Sequence, residues 1–245
     1  MGSTRFTCVG CGKCCNDHHV PLTLGESRQW AADGGAIIVL VEAFMGNGLG
    51  VDPSQLEHAR RRSIRVRSGQ ADAWVAITFA AFNAGPCRHL DADNRCRIYT
   101  RRPLVCRIYP MEINPHIPLR TELKDCPSES WQQGPALIVG GQVADKELAG
   151  LIEQSRQADR DDIAAKAAIC ARLGFRVTAL KGDGFAAYLP DMAAFTQACL
   201  EAHTAPGEQE WHFQLADSEL GARLASLGAA VTHGDERCTL IPLRR

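Results

Sequence analysis

Four cysteines fall within eight consecutive positions near the N-terminal end, in the run Cys8-Val9-Gly10-Cys11-Gly12-Lys13-Cys14-Cys15. No other feature constrains the fold of this chain as strongly. Two residues between thiols let one tight turn aim successive sulfurs at a common centre, as zinc knuckles and iron–sulfur loops do. Gly10 and Gly12 remove side chains where the backbone must curl, and they let amides point at the sulfurs. Those amides and the ammonium of Lys13 would favour thiolates and offset their accumulated negative charge. The surrounding residues are polar, so packing in an apolar core does not explain the run. Cys14 and Cys15 are neighbours, and neighbouring side chains of an extended segment point to opposite faces. Either the two serve two centres, or one is a ligand and the other an accompanying hydrogen-bonding or redox thiol.

The chain has 11 cysteines in 245 residues, and eight of them lie in the first 126. The second four are Cys87, Cys96, Cys106 and Cys126, with Pro86, Arg95 and Pro127 as punctuating neighbours. Eight thiols would fill two four-thiolate sites, although the spacing does not require that arrangement. In a secreted protein such density would indicate disulfides. Here Arg5, Cys8 and Lys13 leave no room for an apolar signal stretch, so a reducing, cytoplasmic setting is expected, in which the thiols read as metal ligands. The last three, Cys170, Cys199 and Cys238, are solitary and read as small buried hydrophobes.

Bulk properties narrow the partners. A formal net charge of -1 gives no support to a nucleic-acid partner. The best apolar run, Ala36 to Val41, stops at Glu42, far short of a membrane span. An unidentified protein or peptide is the partner class left open. Arg60-Arg61-Arg62, with Arg65 and Arg67, is the one basic run and reads as a solvated helix face and strand edge.

The fold expected is α+β. Thr23-Leu24-Gly25-Glu26 is a capping box that opens a short helix through Trp30 to Ala32, ended by Gly34-Gly35. Ala36 to Phe44 fits a strand or a buried helical turn. Gly46-Asn47-Gly48-Leu49-Gly50 reads as a flexible turn, since no βαβ unit follows to make a nucleotide site of it. A polar helix from Pro53-Ser54 through Arg62 is followed by a hairpin, Ile64 to Arg67 and Trp74 to Phe79. Residues 85–127 hold the second cysteine group among turns, with one helical turn near Thr100 to Cys106. Asp145 to Leu173 reads as one or two helices with a break near Arg160-Asp161-Asp162, and Gly174 as the C-cap. Beyond it, strands (Phe175–Leu180, Phe185–Leu189, Trp211–Leu215, Cys238–Ile241) alternate with helices (Asp191–His203, Ser218–Leu227). Two domains are expected: 1–135, a loop-rich metal-stabilised cysteine-cluster domain, and 136–245, an α+β domain without an assignable role. Loops alone cannot bury enough apolar surface to hold themselves, so metal supplies the missing constraint in the first.

The string Gly85-Pro86-Cys87-Arg88-His89-Leu90, then Cys96-Arg97-Ile98-Tyr99, Arg102-Pro103, Cys106-Arg107 and Tyr109-Pro110, resembles the second half of the CxxCxxCC family, the YkgJ-type cysteine-cluster proteins. Cys8 to Cys15 is similar to the motif that names it, and Cys126 matches a later family cysteine. The resemblance spans about residues 5–130. It implies a zinc- or iron-chelating domain with all eight cysteines in the metal site. A flagellin lysine N-methylase looks distantly related through the same box, and that branch implies an iron–sulfur cluster, S-adenosylmethionine and a modifying activity. The family pattern also holds Tyr99, Arg102 and Tyr109. With Arg107, these either donate to cluster sulfurs or bind an anionic ligand, or else brace the loop.

All-thiolate ligation suits tetrahedral zinc or an iron–sulfur cluster. The C-x2-C-x2-C spacing, with Cys126-Pro127 echoing the Cys-Pro that ends ferredoxin runs, tips the expectation toward a cluster of the 4Fe-4S type. His18 and His19 read as an exposed polar turn, and His89 and His116 as neighbours of the site or surface residues. Two function classes follow: a metal-binding protein without turnover, or a metal-dependent protein- or peptide-modifying enzyme of the methylase kind.

Overall fold

The strand Ile37–Met45 organises the larger part of the computed structural model, which describes residues 3–202 and 209–243. Its sequence, Ile-Ile-Val-Leu-Val-Glu-Ala-Phe-Met, is buried nearly end to end. A continuous apolar, β-branched run of this kind is what a strand covered on both faces needs, and this decides strand over helix. It pairs antiparallel with Ala71–Ala81, from Ile37 opposite Ala81 to Met45 opposite Ala73. Ile64–Ser68 completes the expected hairpin, with Arg65 opposite Trp74. On its other side it pairs with Val177–Leu180 in parallel and Gly184–Tyr188 antiparallel. His212–Phe213 and Thr239–Pro242 extend this mixed sheet.

The helices Leu24–Ala32 and Ile163–Arg172 pack on Ala71–Ala81, and both touch Met192–Leu200. The capping box is present in full: the Thr23 side chain accepts from the Glu26 amide, and the Glu26 carboxylate from the Thr23 amide. The break in the long helical stretch falls at Asp162, between Lys146–Asp161 and Ile163–Arg172. Asp162 accepts a bond from the Leu24 amide at 2.7 Å, which gives the break a structural use. Phe79 meets Phe195 edge-on at 5.3 Å, and Phe175 stacks on Tyr188 at 4.1 Å. The helix expected to reach His203 is seen from Met192 to Leu200; His203 lies outside the described residues.

The chain forms two compact units that interleave in sequence. One is Met1–Leu22 with Phe82–Ala158, and the other is Thr23–Ala81 with Asp159–Arg245. The mixed sheet just described lies in the second. The first is smaller and looser, a three-stranded antiparallel sheet of Ser3–Arg5, Ala136–Val139 and Gln142–Val143. Beside it is a core of Leu104, Ile108 and Ile152, onto which Met111, Ile113, Leu148 and Leu151 pack. The remainder of this unit is turns, 3-10 segments and the helix Leu104–Ile108. Expectation and structure differ at the N-terminus, where residues 3–5 form a strand. Its partner lies more than a hundred residues away, beyond any local pattern. The architecture is α+β, and among the described residues no helix is long and apolar enough to cross a membrane.

Candidate metal centre

The loop Cys8–Cys15 is tied down at both ends. Ahead of it, the Thr7 amide donates to the Ser130 carbonyl at 2.9 Å, and Phe6 lies 5.0 Å from the Trp131 ring and 6.3 Å from Tyr109. Behind it, His18 Nε2 meets the Asp125 carboxylate at 2.7 Å. Both ties land on residues flanking Cys126. Gly10 and Gly12 have φ of 68° and 71°, the left-handed conformation the sequence required of them. Gly12 also makes a close approach, because a Cβ there would sit 3.0 Å from Asn94 Cβ. Asn94 belongs to the turn between Cys87 and Cys96, built around Asp91 Oδ1, which accepts from the amides of Asp93 and Arg95 at 2.9 and 2.8 Å.

Lys13–Cys15 is a 3-10 turn, not an extended segment, closed by the Cys15 amide on the Gly12 carbonyl at 2.9 Å. With three residues per turn, adjacent side chains diverge by about 120°. The Cys14 and Cys15 sulfurs nevertheless meet, 4.0 Å from each other. Past the turn, the chain runs beside the second cysteine group. The Asp17 amide donates to the Gly85 carbonyl at 2.9 Å and the Cys87 amide to the Cys15 carbonyl at 2.6 Å. Leu90 and Cys96 form an antiparallel bridge that folds Cys96 back beside Cys87. Cys106 rides on the helix Leu104–Ile108, whose Leu104 and Ile108 anchor it in the core.

All eleven cysteines are free thiols. Among the eight, Cys8 is exposed and the others are partly buried. Burial pushes the Cys106 thiol up to about 12, and it is the main cause that raises Cys87 and Cys126 as well. The adjacent pair splits: the contact with Cys15 holds Cys14 protonated, with burial adding to it, while the same contact favours the Cys15 thiolate, helped by Arg102 and His18. Cys126 lies 3.4 Å from the Tyr109 hydroxyl, which favours the Cys126 thiolate. Burial, followed by this contact, holds the Tyr109 phenol protonated, so its O–H is available to the sulfur.

The four polar residues of the second motif divide in their roles. Tyr109 touches a cysteine sulfur. Arg102 lies in electrostatic reach of Cys15 and Cys106, stacks on the Tyr99 ring at 3.7 Å and donates its Nε–H to the Tyr99 carbonyl at 3.0 Å. Tyr99 is exposed and acts as the platform for Arg102. Arg107 faces Glu147 at 3.6 Å. Lys13 is exposed, and the cations in reach of Cys15 are Arg102 and His18. Arg102, Arg107 and Tyr109 border a cavity of about 300 Å³ with an apolar wall of Phe6, Leu137 and Leu151.

The model of the CxxCxxCC family, described as a "putative zinc- or iron-chelating domain", matches residues 7–129. This chain belongs to that family. No curated protein and no solved structure matches it. Membership makes this a metal-binding protein of the zinc- or iron-chelating kind, and the matched span contains all eight clustered cysteines.

The donor set fits the family's chemistry. Thiols that burial holds protonated would release their protons on binding a cation. Among the described residues no three Cys, His, Asp or Glu side chains are grouped so as to hold one metal ion. Elsewhere, Cys170 and Cys199 are buried as expected, whereas Cys238 is only partly buried, beside Tyr188. Four of the five arginines of the basic run meet carboxylates: Arg65 and Arg67 share Asp72 at 2.7 and 3.5 Å, Arg62 meets Asp159 at 3.2 Å, and Arg61 pairs with Glu57. Sequence reasoning missed the His18–Asp125 pair, whose members are 107 residues apart.

Proposed function

We propose that the eight cysteines Cys8, Cys11, Cys14, Cys15, Cys87, Cys96, Cys106 and Cys126 ligate the metal, as iron–sulfur clusters of the 4Fe-4S type or as zinc. The observation that carries this is the gathering of eight free thiols, from stretches far apart in sequence, into one small unit with little apolar core of its own. Thiolate–metal bonds supply the constraint such a unit lacks. The C-x2-C-x2-C run and Cys126-Pro127 favour iron–sulfur. Clustered thiols that serve as metal ligands would suit a reducing, cytoplasmic setting. Protein purified without oxygen should be brown, absorb near ~400 nm and contain iron and acid-labile sulfide. Colourless protein with stoichiometric zinc would reject the iron–sulfur form, and protein with neither metal would reject the ligand assignment.

A binding role without turnover, as a sensor, a metal carrier or a module that presents a partner surface, is the first reading. The cavity bordered by Arg102, Arg107 and Tyr109 favours a second, a metal-dependent protein- or peptide-modifying enzyme. Calorimetric titration of the anaerobic protein with S-adenosylmethionine tests its methylase form, and absence of binding would remove that branch.

A further inference from the structure

We infer that the cavity bordered by Arg102, Arg107 and Tyr109 binds a small apolar organic acid, its single carboxylate on Arg102 and its apolar body against the leucine wall. This deepens the second reading above by naming a ligand class, and it rests on that reading for any turnover. The cavity holds about 300 Å³, the small end of the range for small-molecule sites. Its apolar side is built before any ligand arrives. Leu148 and Leu151, three residues apart, share one face of the helix Lys146–Asp161. Both pack on the core of Leu104, Ile108 and Ile152. Leu137 comes from the strand Ala136–Val139, and Phe6 is fixed against Trp131 and Tyr109.

The charged side points to an anion of one charge. Arg102, Arg107, Asp145 and Glu147 border the cavity. Glu147 faces Arg107 at 3.6 Å. Asp145 starts the helix, its carboxylate accepting from the Glu147 and Leu148 amides at 2.8 and 3.4 Å. Arg102 is the cation left without a carboxylate among the described residues. Its guanidinium is nonetheless held in place, stacked 3.7 Å over the Tyr99 ring and bonded through Nε to the Tyr99 carbonyl at 3.0 Å. Those contacts use the flat face and Nε, and leave the terminal amino groups to meet a planar acceptor with two oxygens. A carboxylate matches that fork. A dianion such as a phosphate monoester would be repelled by the two carboxylates on the rim. An amine finds those carboxylates already engaged, one by Arg107 and one by the helix start.

The test is an amide-resolved NMR titration of the full chain, as isolated without oxygen, with phenylacetate as the probe acid. Phenylacetate should shift the amides of Leu137, Leu148 and Leu151. Neutral phenylacetamide and cationic phenethylamine should bind about 10-fold more weakly or not at all. Arg102→Gln should weaken phenylacetate about 10-fold, with Arg102→Lys in between, since lysine keeps the charge and loses the planar fork. Leu148→Ala should weaken phenylacetate and phenylacetamide alike, which loss of the arginine would not do. Metal content is read on every sample, because Arg102 also lies in reach of Cys15 and Cys106. Should Arg102→Gln lose metal or fail to fold, Leu148→Ala and the three probes on the wild type decide the question. No shift at those amides with millimolar phenylacetate, or equal binding of the three probes, overturns the acid site. Tighter binding of a tripeptide ending in phenylalanine overturns the small acid in favour of a chain end. Phenylacetate binding beside a negative S-adenosylmethionine titration removes the methylase branch and upholds the site.

Discussion

Tyr109 and Lys166 show how single side chains set the chemistry of their units. The Tyr109 ring packs against Phe6 while its hydroxyl meets Cys126, so Tyr109→Phe keeps the packing and removes one polar atom. If Cys126 ligates metal as proposed, loss of a hydrogen-bonding group beside it should weaken the site about 10-fold or more. Tyr109→Phe should therefore bind metal about 10-fold more weakly in chelator competition, with its far-ultraviolet circular dichroism unchanged. In the other unit, Lys166 is 2% exposed, 3.9 Å from Asp159 and below Phe79. Burial lowers its ammonium below the usual lysine range, against the opposing pull of Asp159. Below the lowered folded-state value both states are charged and the burial cost is borne in full. Between that value and about 10.5, the folded protein has lost a proton that the unfolded chain keeps, so stability climbs with pH. Lys166→Met should abolish this alkaline rise in urea unfolding measured from neutral pH to pH 10. Its stability at neutral pH should equal or exceed that of the wild type, since Asp159 keeps Arg62.

The decisive elements are short. The turn Gly10 to Cys15 combines two left-handed glycines with a 3-10 segment that brings the Cys14 and Cys15 sulfurs to 4.0 Å, and its curl at each glycine was legible from the residues. Its contact with Asn94 was not, because it depends on how a second loop folds. Gly12→Ala adds a methyl to a residue at φ 71° and presses it against Asn94. The backbone term alone costs roughly 1–2 kcal/mol. Metal-loaded Gly12→Ala should be destabilised by at least that amount in urea unfolding, and adding Asn94→Ala should recover part of the loss. No recovery would show that the close approach contributes nothing. The helix Leu24–Ala32, the hairpin and the break at Asp162 follow from capping, alternation and a local run of polar residues, which act over a few positions. The strands Ser3–Arg5, Ala136–Val139 and Gln142–Val143 escaped because they are short and paired with distant or adjoining segments whose pattern alone is weak.

At the scale of the whole molecule, the two units have unequal internal resources. The unit of Thr23–Ala81 and Asp159–Arg245 has an extensive buried sheet, while the unit with the clustered cysteines has a small apolar core. Stripping metal with a strong chelator should therefore act unevenly. In hydrogen–deuterium exchange, amides of residues 8–17 and 85–127 should lose protection, while those of Ile37–Met45 and Ala71–Ala81 keep it. Equal loss in both sets would mean that the metal holds up the entire chain. The sequence by itself determined the cysteine-cluster family and the thiols at which to look for its metal, because cysteine density, glycine placement and turn residues are local properties with local causes. It also determined the α+β class, through hydrophobic periodicity. Only the tertiary structure decided that the units interleave, with Thr23–Ala81 joined to the C-terminal stretch, and which cysteines are neighbours. Strand pairing between Ile37–Met45 and Val177–Leu180, and the approach of Cys126 to the first loop, depend on long-range contacts that no short window of residues encodes.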